Sequence, residues 1–135
     1  DAITSNAGWD TINNSSFLSE IVKEFQLNSI RVSIFIDPDI KMLEGAKKIN
    51  ADRVELFTGP YAKQYNIDKF KAVEKYIQCS KVADEINIDV NAGHDLSLDN
   101  IAFFAKNILR SCILDTTVKQ NYCNSAGGME SISTK

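Results

Sequence analysis

One histidine stands in the whole chain, His94, and it is the only side chain whose ordinary pKa lies near neutrality. It follows Asn91-Ala-Gly93, whose two small residues would let a ligand approach the backbone closely, and it precedes Asp95. A histidine in a loop is often incidental, but at the end of a parallel strand it stands where functional groups gather. The second candidate is Glu55, flanked by Val54 and Leu56. A carboxylate inside an apolar strand points to solvent, pairs with a cation, or faces a lined interior where charge has a purpose. Two further segments occupy comparable places, Phe35-Ile-Asp37-Pro-Asp39 and Thr58-Gly-Pro-Tyr61. Gly59 and Gly93 read equally well as residues that only permit tight turns. The chain carries no Walker loop, GxGxxG fingerprint, metal-ligand cluster or nucleophile elbow. Acid–base chemistry is what these residue types offer.

Elements that alternate along the chain must position them. Residues 1–14 are rich in Asn, Thr, Ser and Gly and read as a loop. Phe17, Leu18, Ile21, Val22 and Phe25 fall on one face of a helix that starts at Ser15 and ends at Asn28-Ser29. Arg31–Ile36 is a β-branched run that reads as a buried strand. Asp37-Pro-Asp39 stops it and starts a helix with a stripe at Ile40, Leu43 and Ala46. Arg53–Phe57 is a second strand, broken by Thr58-Gly-Pro60. A helix from about Asp68 to Glu85 follows, carried by Phe70, Val73, Ile77, Val82 and Ala83. Ile88–Val90 is a third strand, and Ser97 or Asp99 caps a last helix with Ile101, Phe104, Ala105 and Ile108 on its apolar face. Strands separated by helices imply parallel pairing, because a parallel neighbour needs a crossover of about a dozen residues. The expected fold is α/β, with an ordered unit over residues 1–108. Residues 109–135 lose amphipathic order and read as a divergent, disordered or weakly attached tail.

Composition bounds the partners. Apolar residues make up 44% of the chain and charged residues 24%, the mix of an ordinary globular protein. A net charge of −3 gives no sequence-wide attraction to nucleic acid or anionic membrane. No apolar stretch approaches the roughly 20 residues that span a bilayer, and the first residues do not resemble a signal peptide, so a cytoplasmic location is expected. The 3 cysteines, Cys79, Cys112 and Cys123, form no CxxC pair and read as reduced, incidental thiols.

Four blocks carry a resemblance. Ile3-Thr-Ser-Asn-Ala-Gly-Trp-Asp10, Arg31-Val-Ser-Ile-Phe-Ile-Asp37, Arg53-Val-Glu-Leu-Phe-Thr-Gly-Pro-Tyr-Ala62 and Val90-Asn-Ala-Gly-His-Asp-Leu-Ser-Leu98 resemble, in order and spacing, consecutive blocks of the pyridoxine 5′-phosphate synthase family. The resemblance covers residues 1 to about 108. It implies a partial (β/α)8 TIM barrel, with the three strands as its fifth to seventh. It implies condensation of 3-amino-2-oxopropyl phosphate with 1-deoxy-D-xylulose 5-phosphate, without metal or organic cofactor, in a homo-oligomeric complete enzyme. By resemblance His94 is the proton donor and Glu55 stabilises the charged transition state. Asp95 contacts the amino-ketone phosphate and Thr4 the deoxyxylulose phosphate. The family's remaining proton acceptors lie on its first four strands, outside this sequence. Its eighth strand should follow the last helix with a Gly-His pair, where residues 109–135 do not align.

The leading expectation is therefore a piece of a transferase, inactive alone. A non-catalytic α/β module that holds a phosphorylated ligand is the rival from another class, and a fragment without function is the third. Apolar side chains are expected on both faces of the strands, Val32, Ile34 and Ile36 against Phe35, which would leave an apolar inner face and free edges prone to self-association.

Overall fold

The computed structural model describes residues 6–108 and the strand Cys112–Leu114. Its element order is α1 (Ser15–Leu27), β1 (Ser33–Ile36), α2 (Ile40–Lys48), β2 (Arg53–Leu56), α3 (Gly59–Tyr65), α4 (Lys69–Ile86), β3 (Asp89–Ala92), α5 (Ile101–Asn107) and β4 (Cys112–Leu114). The strands form one parallel sheet in the order β1-β2-β3-β4. Each strand is followed in space by its sequence neighbour, which is the arrangement that successive crossovers of one hand produce.

Local chemistry sets the helix ends. The Asp39 carboxylate accepts from the Lys41 N–H and caps α2, while Lys47 and Lys48 occupy its last turn. Asp68 accepts from the N–H groups of Phe70 and Lys71 and caps α4. That helix ends at Asn87, whose left-handed backbone, φ 53°, lets its N–H reach the carbonyls of Ala83 and Asp84.

The helices cover one face of the sheet. Ile34 and Ile36, Val54 and Leu56, Val90 and Ala92 alternate inward to a core shared with Leu18, Val22, Leu43, Ala46, Val73, Tyr76 and Phe104. The residues between them point to the opposite, helix-free face: Ser33 and Phe35, Arg53 and Glu55, Asp89 and Asn91. Here the expectation of an apolar second face is corrected. Strand residues alternate faces, so Val32, Ile34 and Ile36 share the covered side, and Phe35 alone among these is large and apolar on the other.

Four other details differ from the sequence reading. Thr58-Gly-Pro60 does not only break a strand. It opens α3, because a proline in the first turn of a helix lacks an N–H that would have no partner there. Phe17, Phe25 and Phe70 lie on the expected helices but are 54%, 45% and 69% exposed. A periodic stripe gives a face, not the element that covers it. The cap of α5 is Asn100 rather than Ser97 or Asp99. Finally, β4 pairs with β3 where no strand was expected, its three residues being too short to give a periodic signal. The rest of the expected tail lies outside the described residues.

Candidate active site

The helix-free face is organised in rows by the strand register. Phe35, Glu55 and Asn91 stand opposite one another across β1, β2 and β3, and Ser33, Arg53 and Asp89 form the row beneath. Glu55 is half-buried in the middle of the upper row. Of the three readings open to it, the solvent-facing one is thus too simple, and among the described residues no ion pair joins it to a cation. Arg53 Nε and Asn91 Oδ1, on the same face, are buried and have no hydrogen-bond partner among the described residues. At the lower edge Arg31 and Asp89 form an exposed ion pair at 3.1 Å.

The carboxyl ends of the strands converge on three rings. Phe57, one residue past β2, packs on Phe35 with centroids 5.6 Å apart. The His94 imidazole leans on both, 6.1 Å from Phe57 and 6.4 Å from Phe35. Glu55 and Phe57 are two residues apart in sequence, so the carboxylate lies one row below the Phe57 ring and in the same row as Phe35. His94 Nε2 is 3.8 Å from Asp95 Oδ2, and the two side chains are 41% and 46% exposed. This gives an exposed imidazole, walled by two phenyl groups, at the open end of the face that carries a half-buried carboxylate. Thr4 lies outside the described residues. From the N-terminal side, Gly8 N–H donates to Asp37 Oδ1 at 3.2 Å and Trp9 N–H to the Phe35 carbonyl at 2.8 Å. A Cβ at Gly8 would overlap the Ile36–Asp37 peptide, so only glycine lets this segment lie across the end of β1.

Buried polar side chains hold the loops from below. The Thr58 hydroxyl, fully buried, donates to the His94 carbonyl. Asn100, 6% exposed, donates to the Asp95 carbonyl at 3.3 Å and accepts the Ser97 N–H at 2.8 Å. Tyr61 donates to the Asn100 carbonyl at 2.6 Å, and Tyr76 to the Phe57 carbonyl at 2.7 Å. Burial pushes both phenols well above the ordinary tyrosine pKa, so each remains a donor at neutral pH. Sequence reading did not single out Asn100, although an Asn directly before the first apolar residue of a helix is the usual start signal. Gly59 also has a spatial reason: a Cβ there would strike the Phe57 ring and come within 3.0 Å of Asp95 Oδ2. Among the described residues no set of three His, Cys, Asp or Glu side chains is placed to hold a metal, and no helix is long and apolar enough to cross a membrane.

Comparison with known proteins gives these residues a context. The family model described as pyridoxal phosphate biosynthesis protein PdxJ matches residues 1–113, five residues beyond where the sequence resemblance ended. A protein of Flavobacterium johnsoniae named pyridoxine 5′-phosphate synthase is 52% identical over 107 residues, which are 79% of this chain and 45% of the relative. Proteins of the same name from Cytophaga hutchinsonii and Christiangramia forsetii are 51% and 46% identical over 108 residues, 80% of this chain and 45% and 46% of theirs. The chain thus spans less than half the length of the curated relatives it matches.

Proposed function

The chain belongs to the PdxJ family, and on that premise we propose that it supplies the later strands, and part of the active site, of a pyridoxine 5′-phosphate synthase. In this reading β1, β2 and β3 are the fifth, sixth and seventh strands of a (β/α)8 barrel, and β4 stands in the place of the eighth. The helix-free face becomes the barrel interior, which accounts for a row of polar side chains where an outer face would carry none. The complete enzyme, a cytoplasmic homo-oligomer, would join 3-amino-2-oxopropyl phosphate to 1-deoxy-D-xylulose 5-phosphate and release phosphate and water.

That chemistry requires protons to be moved on and off oxygen and carbon as an amine adds, water leaves and a ring closes. His94 is the proton donor: it is the only histidine, the residue type best suited to acid–base work, and it sits at the open strand end. Glu55, lower on the same face, stabilises positive charge that develops on the substrate nitrogen. Thr4 contacts the deoxyxylulose phosphate. Asp95 contacts the amino-ketone phosphate. Two anions repel, so the group that Asp95 offers a phosphate is its peptide N–H rather than its carboxylate.

The observation that carries this reading is the placement of His94 against Phe57, two residues past Glu55 on one face of the sheet. What favours a synthase over a non-catalytic phosphate-binding module is the name borne by the matched relatives. The test is completion of the barrel. Residues 1–108, joined to the first four strands and the eighth of a relative, should form pyridoxine 5′-phosphate from the two substrates. The 135-residue chain alone should give none. A folded, complete barrel without product would refute the proposal.

A further inference from the structure

The two residues that matter most in the β3–α5 loop are held by their carbonyls rather than by their side chains. His94 and Asp95 are both exposed at the side chain, and Asp95 has a left-handed backbone, φ 60°, which a residue other than glycine adopts at a cost. A loop of this kind would ordinarily sample several conformations. Its carbonyls, however, accept from two buried donors that reach it from different elements: Thr58 at the N-terminus of α3 grips His94, and Asn100 at the N-terminus of α5 grips Asp95. Neither side chain performs the task its position suggests. Thr58 and Asn100 are both N-cap residues, yet neither caps its own helix by a side-chain hydrogen bond. Their polar atoms are spent on the loop.

We propose that Thr58 and Asn100 are positioning residues that fix the His94–Asp95 peptide, and with it the proton donor, in one orientation. The inference deepens the reading above and rests on His94 being the donor. Its geometry is simple. Among the described residues no peptide bond is cis, and in a trans peptide the C=O and N–H point in opposite directions. Drawing the His94 carbonyl toward the buried Thr58 therefore turns the Asp95 N–H away from the core, free to meet an anionic oxygen. It also sets the direction in which the His94 side chain leaves the backbone, against Phe35 and Phe57. Asn100 fixes the next peptide, and is itself held by Tyr61 through its own carbonyl. Two consecutive peptides are thereby fixed, which is what it takes to define the φ and ψ of the residue between them.

Because His94 is the only histidine, its ring resonances are a unique reporter in the 135-residue chain. In the unaltered chain the ring should be displaced from its free-histidine shift by the neighbouring phenyl rings, and the Asp95 amide should show an order parameter near 0.85, the value of rigid backbone. Thr58→Val keeps the shape and removes the donor. It should abolish the ring displacement and lower the Asp95 order parameter below about 0.6, while the amides of β1 and β2 keep their values. Thr58→Ser restores the hydroxyl and should restore both signals. Asn100→Asp keeps the acceptor for Ser97 and loses the donor to Asp95, so it should loosen the same amide. A rigid Asp95 amide and an unmoved His94 ring in Thr58→Val would overturn the proposal. So would unfolding of both Thr58→Val and Asn100→Asp, since the side chains would then hold the fold and not the loop. These readouts need no turnover, so a catalytically dispensable His94 in the completed barrel would remove the donor assignment and leave the positioning intact.

Discussion

Replacing Tyr76 by Phe removes one oxygen atom from the middle of the molecule, and the structure sets the size of the effect. The ring is 1% exposed and lies edge-on to Tyr61 and Phe104, with centroids 5.9 and 5.3 Å away. Phe retains all of that packing. What disappears is the donor, 2.7 Å from the Phe57 carbonyl, and no other donor to that carbonyl is recorded among the described residues. A buried acceptor left unsatisfied costs about 1–3 kcal/mol. Tyr76→Ala would add the loss of the ring and a cavity, about 3–5 kcal/mol for an aromatic side chain, enough to unfold most domains of this size. In urea, where a small domain loses about 1–3 kcal/mol of stability per molar, Tyr76→Phe should lower the unfolding midpoint by roughly 1 M with no change of slope. Trp9, the only tryptophan, provides the fluorescence signal, since its N–H is tied to the end of β1. An unchanged midpoint would refute the reasoning, because it would mean that the Phe57 carbonyl finds another donor or that the ring is not buried.

Three further outcomes follow from the same core. Tyr61 and Tyr76 have folded pKa values raised by burial above the ordinary value of about 10, so the protein binds more protons folded than unfolded at higher pH. Stability should be independent of these groups below about pH 10 and fall above it, with tyrosinate absorbance appearing together with loss of helical circular dichroism. Asp52 is shifted the other way: the Val32 N–H at 2.6 Å and the Gln26 amide at 3.2 Å hold its carboxyl below the usual carboxylate range. Its contribution is present above the unfolded pKa of about 4 and lost as pH falls through the lower folded value, and Asp52→Asn should remove that part of the acid dependence of the urea midpoint. Burial pushes the Cys79 thiol up to about 11, so disulfide reagents at pH 8 should label Cys79, located by mass mapping, only as fast as the chain opens.

Much of the fold was legible because it rests on local periodicity. The strands around Ile34, Val54 and Val90 and the helices α1, α2, α4 and α5 each carry an apolar repeat that the structure turns toward one core. Pro60 misled because proline is a breaker inside an element and a starter at its beginning, and only the position of the first turn distinguishes the two. The exposed Phe17 and Phe25 show the second limit: a stripe is written in one segment, but its cover is written elsewhere. His94 and Glu55 could be picked out as candidates from residue type and place along the chain, and Asp95 from the family resemblance. The support beneath them could not. Thr58 and His94 are 36 positions apart, Tyr61 and Asn100 are 39, and hydrogen bonds of that span leave no pattern in the sequence.

The central claim is that His94 donates the proton in the family's ring-forming reaction. In the completed barrel, kcat of His94→Ala should fall on the order of 10²-fold or more, the usual scale for a positioned acid, with the thermal midpoint unchanged because the ring is exposed. A folded His94→Ala barrel that turns over at the unaltered rate would contradict the account.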